Sequence, residues 1–129
     1  MQFRFLLLLL LASMIGGNAL ASGQGGYRVV HGWPQLPEGR VLGSAAGVTV
    51  NPAGEVFVFH RAGRFWSEPL PTDLIAGPTI AVFDSRSGKF LREIAAGVFA
   101  MPHGLSIDPQ GNLWATDVAL HQVIKLAPD

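Results

Sequence analysis

The sequence has no cysteine and little charge, and both features narrow what the protein can be. Without cysteine, neither a disulfide framework nor a thiolate metal centre can form, so stability must come from a packed core or from bound metal. Nine basic residues balance nine acidic ones, which leaves no electrostatic case for binding nucleic acid or an anionic membrane surface. The sequence also lacks a Gly-x-Ser-x-Gly elbow, a phosphate-binding loop and a dinucleotide fingerprint. The sequence therefore gives no support for a nucleic-acid-binding protein, a serine hydrolase of the Gly-x-Ser-x-Gly type, or a nucleotide-binding protein.

The only long apolar run lies at the start of the chain. It follows Arg4, extends over residues 5–15, and is followed by glycines and by the small residues Ala19 and Ala21. This is the layout of a secretory signal, and the run is shorter than the roughly 20 residues that a membrane-spanning helix needs. We predict a signal peptide at residues 1–21 and a secreted or periplasmic product without stable membrane insertion. A retained anchor is the alternative.

The rest of the chain contains an internal repeat. Residues 47–58 are echoed by residues 104–115, in the order Gly, apolar, small polar, apolar, Asn or Asp, Pro, any, Gly, any, apolar, aromatic, small apolar. The Asn/Asp-Pro step favours a turn, and the glycine two residues after the proline tolerates a positive φ. Each copy is therefore predicted to form a strand, a tight turn and a second strand.

Further apolar runs extend each copy towards four strands. In the first copy they lie at residues 79–83 and 90–94, and in the second at residues 122–126. Four short antiparallel strands are typical of one β-propeller blade. We therefore predict an all-β fold, an incomplete propeller of about two four-stranded blades. The predicted parts are an approach segment at 22–46, with a possible strand at 27–30, and a partial propeller at 47–129, divided into a first blade at about 47–95 and an incomplete second blade at about 99–129.

The repeat is long and the number of blades is small. Gly47 and Gly104 begin the two copies, and the excess over a usual blade repeat of about 40 to 50 residues lies at 62–77. We predict a long loop there, between the second and third strands, on a face where loops often carry function. Because a propeller closes with about four to eight blades, we expect this chain to be the front part of a longer protein. Assembly of several copies is the alternative.

Candidate site residues come from the histidines and from one arginine. The four histidines do not have the spacing of a structural zinc site: His31, His60, His103 and His121. His103 lies between a proline and a glycine that restrict its backbone, so it is either an aimed metal ligand or a structural histidine. Arg61 follows the second strand and could hold a carboxylate or stabilise an oxyanion, although an ordinary rim arginine is the alternative.

The remaining polar candidates have simpler interpretations. Asp117 and His121 are predicted to stabilise the turn after a strand. Asp84 and Asp108 are predicted to begin turns, and Glu55 is expected at an exposed hairpin position. These carboxylates do not suggest a pure acid/base mechanism.

Two runs carry a resemblance to a known family. Residues 99–108 and 111–123, above all the Asp-Val-Ala-Leu-His-Gln sequence that begins at Asp117, resemble the peptidyl-α-hydroxyglycine α-amidating lyases. Phe59-His60-Arg61 is similar to the same family's first blade, and the resemblance covers residues 41–126. It implies a six-bladed propeller of the NHL-repeat type that holds zinc in its channel and a structural calcium nearby.

The resemblance also implies roles for individual residues. His103 matches a zinc ligand, Arg61 matches a catalytic arginine, and Val48 and Leu105 match residues whose backbone carbonyls bind calcium, a hard cation that accepts such oxygens. The family reaction cleaves a peptidyl-α-hydroxyglycine to a peptide amide and glyoxylate. Because catalytic zinc takes about three protein ligands, and the family's other ligands and tyrosine match nothing here, we expect this chain alone to be inactive.

Two other functions remain as alternatives to the lyase. A non-catalytic NHL-type propeller could serve as a binding module, since one fold hosts many functions. A calcium-dependent sugar-lactone hydrolase on a similar propeller is disfavoured, because it gives no reason for the run around His103. The Pro102-His103-Gly104 run together with Arg61 favours the lyase.

Overall fold

The computed structural model describes residues 26–128, which form seven β-strands. The predicted signal peptide lies outside these residues. None of the described residues forms a helix of the length and apolarity that crossing a bilayer requires. The strands are β1 (Ala45–Val50), β2 (Glu55–His60), β3 (Ile80–Asp84), β4 (Phe90–Ile94), β5 (Pro102–Ile107), β6 (Leu113–Asp117) and β7 (Gln122–Leu126).

The strands form two antiparallel sheets of neighbouring strands, ordered β1-β2-β3-β4 and β5-β6-β7. This arrangement confirms the predicted all-β fold of one four-stranded and one three-stranded blade. The possible strand at residues 27–30 is wrong, because those residues are exposed and carry no β-pairing. Residues 62–77 contain no strand, as predicted for the long loop.

The first hairpin turn of each blade is made by the repeated Asn/Asp-Pro-x-Gly sequence. Gly54 and Gly111 have φ values of 82° and 87°, a region that other residues reach only with strain. The side chains of Asn51 and Asp108 accept hydrogen bonds from backbone N–H groups four residues later, each at 2.8 Å. The sequence pattern and the turn geometry agree.

The main core lies between the two sheets. Buried residues of β2 and β3 pack against β6 and against Phe99, whose ring meets that of Phe59 edge-on at 4.7 Å between centroids. Fully burying one such aromatic side chain stabilises the fold by about 1.5–3 kcal/mol. Because Val56 and Val58 are buried on the opposite face of β2, residues 56–59 of this strand are all apolar, as is typical of strands covered on both faces.

The two inner strands, β1 and β5, approach each other closely at Gly47. A Cβ atom at this position would lie 2.8 Å from the Leu105 nitrogen and 2.9 Å from the Leu105 Cβ atom. Backbone atoms this close leave room only for hydrogen at residue 47, so the repeat's first glycine is required by blade packing.

The approach segment covers the face of the first blade that points away from the second. Trp33 and Leu42 pack on the buried cluster of Val56, Val58, Ala81 and Phe83. The Gln35 N–H donates a hydrogen bond of 2.8 Å to the Gly88 carbonyl and holds the segment near Trp33. Nearer to Leu42, Arg40 forms an ion pair of 3.1 Å with Glu93. Residues 33–42 therefore seal an apolar surface that the sheet alone would expose.

Candidate functional site

The candidate residues lie at one end of the two blades, which we call the upper end: β2 and β6 finish there, and β1 and β5 begin there. His103 is the second residue of β5, and the β5–β6 pairing shifts register between Pro102 and Gly104. A bulge of this kind re-aims the residue that it leaves out of the ladder, and bulges are frequent beside active sites. The exposed imidazole of His103 is thus presented by a distorted strand end. The equivalent shift in the first blade leaves out Ala46, so only the second blade carries a histidine there.

Arg61 links the two blades directly beside this histidine. Its Nε–H donates a hydrogen bond of 3.1 Å to the carbonyl oxygen of Pro102, the residue that precedes His103. The guanidinium carbon also lies 5.5 Å from the ring centroid of Trp66, within the range of a cation–π contact. Arg61 is therefore held in one orientation, and the structure brings Arg61 and the backbone of His103 together.

The long loop that carries Trp66 is anchored on the upper end. The Arg64 guanidinium donates to the Ala100 carbonyl at 3.0 Å and to the Asp73 carboxylate at 2.7 Å, so it joins the loop to the segment before β5. Leu70 packs on the buried residues Ala100, Met101 and Ala119. Several independent contacts thus fix the backbone that presents Trp66.

Asp117 fixes the backbone of the segment that leads to His103. This carboxylate is 2 % exposed and accepts four backbone hydrogen bonds. Oδ2 receives the N–H groups of Ala100 and Met101 at 2.7 and 2.8 Å, and Oδ1 receives those of Ala119 and Leu120 at 3.0 Å each. The predicted turn role is confirmed by Oδ1, whereas Oδ2 has a second role that the sequence did not indicate: it fixes the chain just before β5.

His60 occupies the position in the first blade that Asp117 occupies in the second. Its Nδ1 accepts the Ala62 N–H at 3.2 Å, as Asp117 Oδ1 accepts an N–H two residues ahead. Nε2 is buried and makes no hydrogen bond within residues 26–128. Burial lowers the pKa of His60, although nearby Glu93 opposes the shift. A neutral imidazole that caps the turn after β2 therefore helps to fix Arg61.

The residues matched to a calcium site lie on neighbouring inner strands. Val48 is on β1 and Leu105 is on β5, and the close contact at Gly47 puts the two backbones side by side. Two backbone carbonyl oxygens from adjacent blades are ligands of the type that a hard cation accepts. Among residues 26–128, no three His, Asp or Glu side chains converge to hold a metal ion.

One sequence expectation about a carboxylate is wrong. Glu55 is not an exposed hairpin residue: it is half-buried, accepts a hydrogen bond from the Asn51 side chain at 2.8 Å, and pairs with Arg92 across the sheet. The bond to Arg92 is the largest cause of the lowered pKa of Glu55. The partner is on β4, the outer strand, and sequence spacing did not connect the two residues.

A cavity of about 560 Å³ lies away from these residues, between the sheets at the end opposite Arg61. Its walls are mostly apolar, with Phe57 from the first blade and the paired Leu113 and Leu126 from the second, and it also borders the Glu55–Arg92 pair. The outer edge of β7 has no partner strand in the described part of the chain. Because it holds none of the candidate site residues, we assign this cavity to packing between blades.

Sequence reasoning missed Trp66 and Arg64. Both lie in a stretch without periodicity, where residue type alone does not distinguish a functional loop from a spacer. The available signal was composition: Arg61, Arg64, Phe65 and Trp66 put two cations and two aromatic rings within six residues.

Comparison with known proteins gives one consistent family. No family model matches the sequence. A protein named "probable peptidyl-α-hydroxyglycine α-amidating lyase" from Caenorhabditis elegans is 43% identical over 94 residues, which cover 66% of this chain and 27% of that protein. Peptidyl-α-hydroxyglycine α-amidating lyase 2 of Drosophila melanogaster is 41% identical over 110 residues, covering 78% of this chain and 27% of the relative.

A relative named as a monooxygenase matches over a smaller share of its length. The peptidylglycine α-amidating monooxygenase of Rattus norvegicus is 38% identical over 96 residues, covering 67% of this chain and 10% of the relative. The chain thus spans about a quarter of the length of the two lyases above. Over about two thirds of its own length, this chain resembles the peptidyl-α-hydroxyglycine α-amidating lyases.

Proposed function

We propose that this sequence forms two neighbouring blades of a lyase that splits a peptidyl-α-hydroxyglycine into a peptide amide and glyoxylate. In this reaction the bond between the amide nitrogen and the α-carbon breaks, the nitrogen gains a proton, and the α-hydroxyl loses its proton as it becomes the aldehyde oxygen. The observation that carries the proposal is the hydrogen bond of Arg61 to the Pro102 carbonyl, which fixes a cation beside His103.

Arg61 is assigned to the substrate's carboxylate. Its Nε is committed to Pro102, and the structure gives its two Nη atoms no hydrogen bond within residues 26–128. A guanidinium with free N–H groups holds a carboxylate in a defined orientation. The carboxylate keeps its charge throughout the reaction, so this contact binds and orients the substrate for cleavage of the carbon–nitrogen bond.

His103 is assigned to the metal. Its position on the bulge of an inner strand suits one ligand of a channel zinc, and zinc, when bound, acts as a Lewis acid on an oxygen of the substrate. The carbonyls of Val48 and Leu105 are assigned to calcium, where they would stabilise the contact between the two blades. Asp117 and His60 are positioning residues, because each holds the backbone next to His103 or Arg61. We further propose, from the N-terminal sequence, that the protein is exported.

The test is a chimera in which the matched part of this chain replaces the aligned segment of the Caenorhabditis elegans relative. We expect the chimera to release glyoxylate from a synthetic peptidyl-α-hydroxyglycine. Arg61→Ala should lower kcat/KM by about 10²-fold, because the substrate carboxylate loses the cation that holds and orients it. His103→Ala should remove bound zinc and activity together. Arg86→Ala is the matched control, since Arg86 is exposed in the turn between β3 and β4, at the opposite end. A folded chimera that releases no glyoxylate would refute the proposal.

A further inference from the structure

Two aromatic side chains stand exposed on the anchored loop of the upper end. Phe65 is 80% exposed and Trp66 is 49% exposed. The loop is held by Arg64 and by the packing of Leu70, so the rings are presented from a fixed backbone. Exposed apolar groups grouped in this way mark binding surfaces more often than scattered single residues do.

The position of Trp66 relates this surface to the proposed site. The Trp66 ring makes a cation–π contact with the Arg61 guanidinium, which is hydrogen-bonded to the residue before His103. The indole N–H of Trp66 makes no hydrogen bond within residues 26–128. Trp114 provides a useful contrast: it is 40% exposed and has Lys125 over its ring at 5.3 Å, but its N–H donates to Asp108 at 2.9 Å and so serves its own turn.

We propose that Phe65 and Trp66 form the subsite for the substrate side chain that precedes the α-hydroxyglycine, and that they favour aromatic and large aliphatic residues there. This inference rests on the proposed function. If Arg61 holds the terminal carboxylate, the preceding residue begins one Cα step of about 3.8 Å away. The Trp66 ring, which contacts the same guanidinium, then offers an apolar surface beside the bound carboxylate. The free indole N–H can also donate to a peptide carbonyl.

The test measures preference and binding separately in the chimera. Cleavage is followed with dansyl-Ala-Phe-α-hydroxyglycine and dansyl-Ala-Gly-α-hydroxyglycine. Binding is followed by fluorescence anisotropy with dansyl-Ala-Phe-Gly and dansyl-Ala-Gly-Gly, which keep the carboxylate but lack the hydroxyl that the reaction needs. We expect the phenylalanine substrate to have a KM about tenfold lower, from partial burial of one aromatic side chain, at similar kcat.

The variants identify the cause of this preference. Trp66→Ala should remove most of the difference in KM, Trp66→Phe should retain it, and Trp114→Ala should leave it unchanged. Equal KM values in the parent, or an equal effect of Trp66→Ala on both substrates, overturns the subsite while the lyase proposal stands. An inactive chimera that still binds the phenylalanine peptide more tightly, through Trp66, supports the subsite and refutes the lyase. An inactive chimera without preference in binding refutes both.

Discussion

Replacing Asp117 with asparagine tests how the segment before His103 is held. The buried carboxylate receives four backbone N–H groups, two on each oxygen. A carboxylate only accepts hydrogen bonds, whereas an amide has one accepting oxygen and one NH₂ group that donates. In Asp117→Asn, whichever way the amide turns, two backbone N–H groups meet another donor. The substitution changes the shape of the side chain very little, so packing is preserved.

The structure allows the cost to be estimated. Hydrogen bonds to a charged group contribute about 1.5–3 kcal/mol each, and a buried donor left without a partner costs about 1–3 kcal/mol. Losing two bonds at a buried site should therefore lower the free energy of unfolding by about 3–5 kcal/mol. In a protein of a few hundred residues, where 1 kcal/mol shifts Tm by about 2 °C or more, we expect a fall of at least about 6 °C.

The assay is thermal unfolding of the chimera together with amide hydrogen exchange of the peptides that contain Ala100, Met101, Ala119 and Leu120. We expect faster exchange for one of the two pairs. Asp84→Asn is the control, because Asp84 is a turn carboxylate that bonds to Ser87 near the surface, and asparagine suits such turns. If Asp117→Asn unfolds at the same temperature as Asp84→Asn, with unchanged exchange, the reasoning is refuted.

Two further predictions concern the blade contact and the second hairpin. Gly47→Ala should destabilise the chimera by about 1–3 kcal/mol, because the added Cβ atom would collide with the backbone of Leu105. Gly77→Ala should be tolerated, since no atom lies within 4 Å of a Cβ atom built there. Equal thermal midpoints for the two variants would contradict this prediction. Hydrogen bonds from the Trp114 indole and from Asn112 lower the pKa of Asp108 from 3.8 to about 2. Because a lowered carboxyl pKa stabilises the fold above its unfolded value, this contribution should be lost as the pH falls from about 4 to about 2. NMR titration of the Asp108 carboxyl should show the low pKa, and Trp114→Phe should raise it.

Much of the fold could be predicted because its signals are local. The Asn/Asp-Pro-x-Gly turns, the positive φ of Gly54 and Gly111, and the strands at residues 90–94 and 122–126 depend on residues close in sequence. The interpretation of residues 27–30 was wrong, although their composition is typical of a strand. A strand also needs a partner edge, and composition does not reveal whether one is near.

The candidate site was only partly predictable for the same reason. His103 and Arg61 were found by motif, but the bond that joins them spans 41 residues and depends on how the two blades meet. The Glu55–Arg92 pair spans 37 residues, and the second role of Asp117 also requires the chain before β5 to return to the end of β6. Such contacts follow from how strands pair within a sheet and how the sheets pack together, which the spacing of residues along the chain does not encode.

Residues 33–42 of the approach segment, which cover one face of the first sheet, have a consequence for the nascent chain. The ribosome synthesises these residues before the sheet that they cover. Trp33 and Leu42 can therefore pack on Phe83 as soon as Phe83 has been made. One face of the newly made sheet can then be covered while the following blade is still being synthesised. This shields its apolar residues from water and from other unfolded chains, at the stage when partly folded proteins are most prone to aggregate.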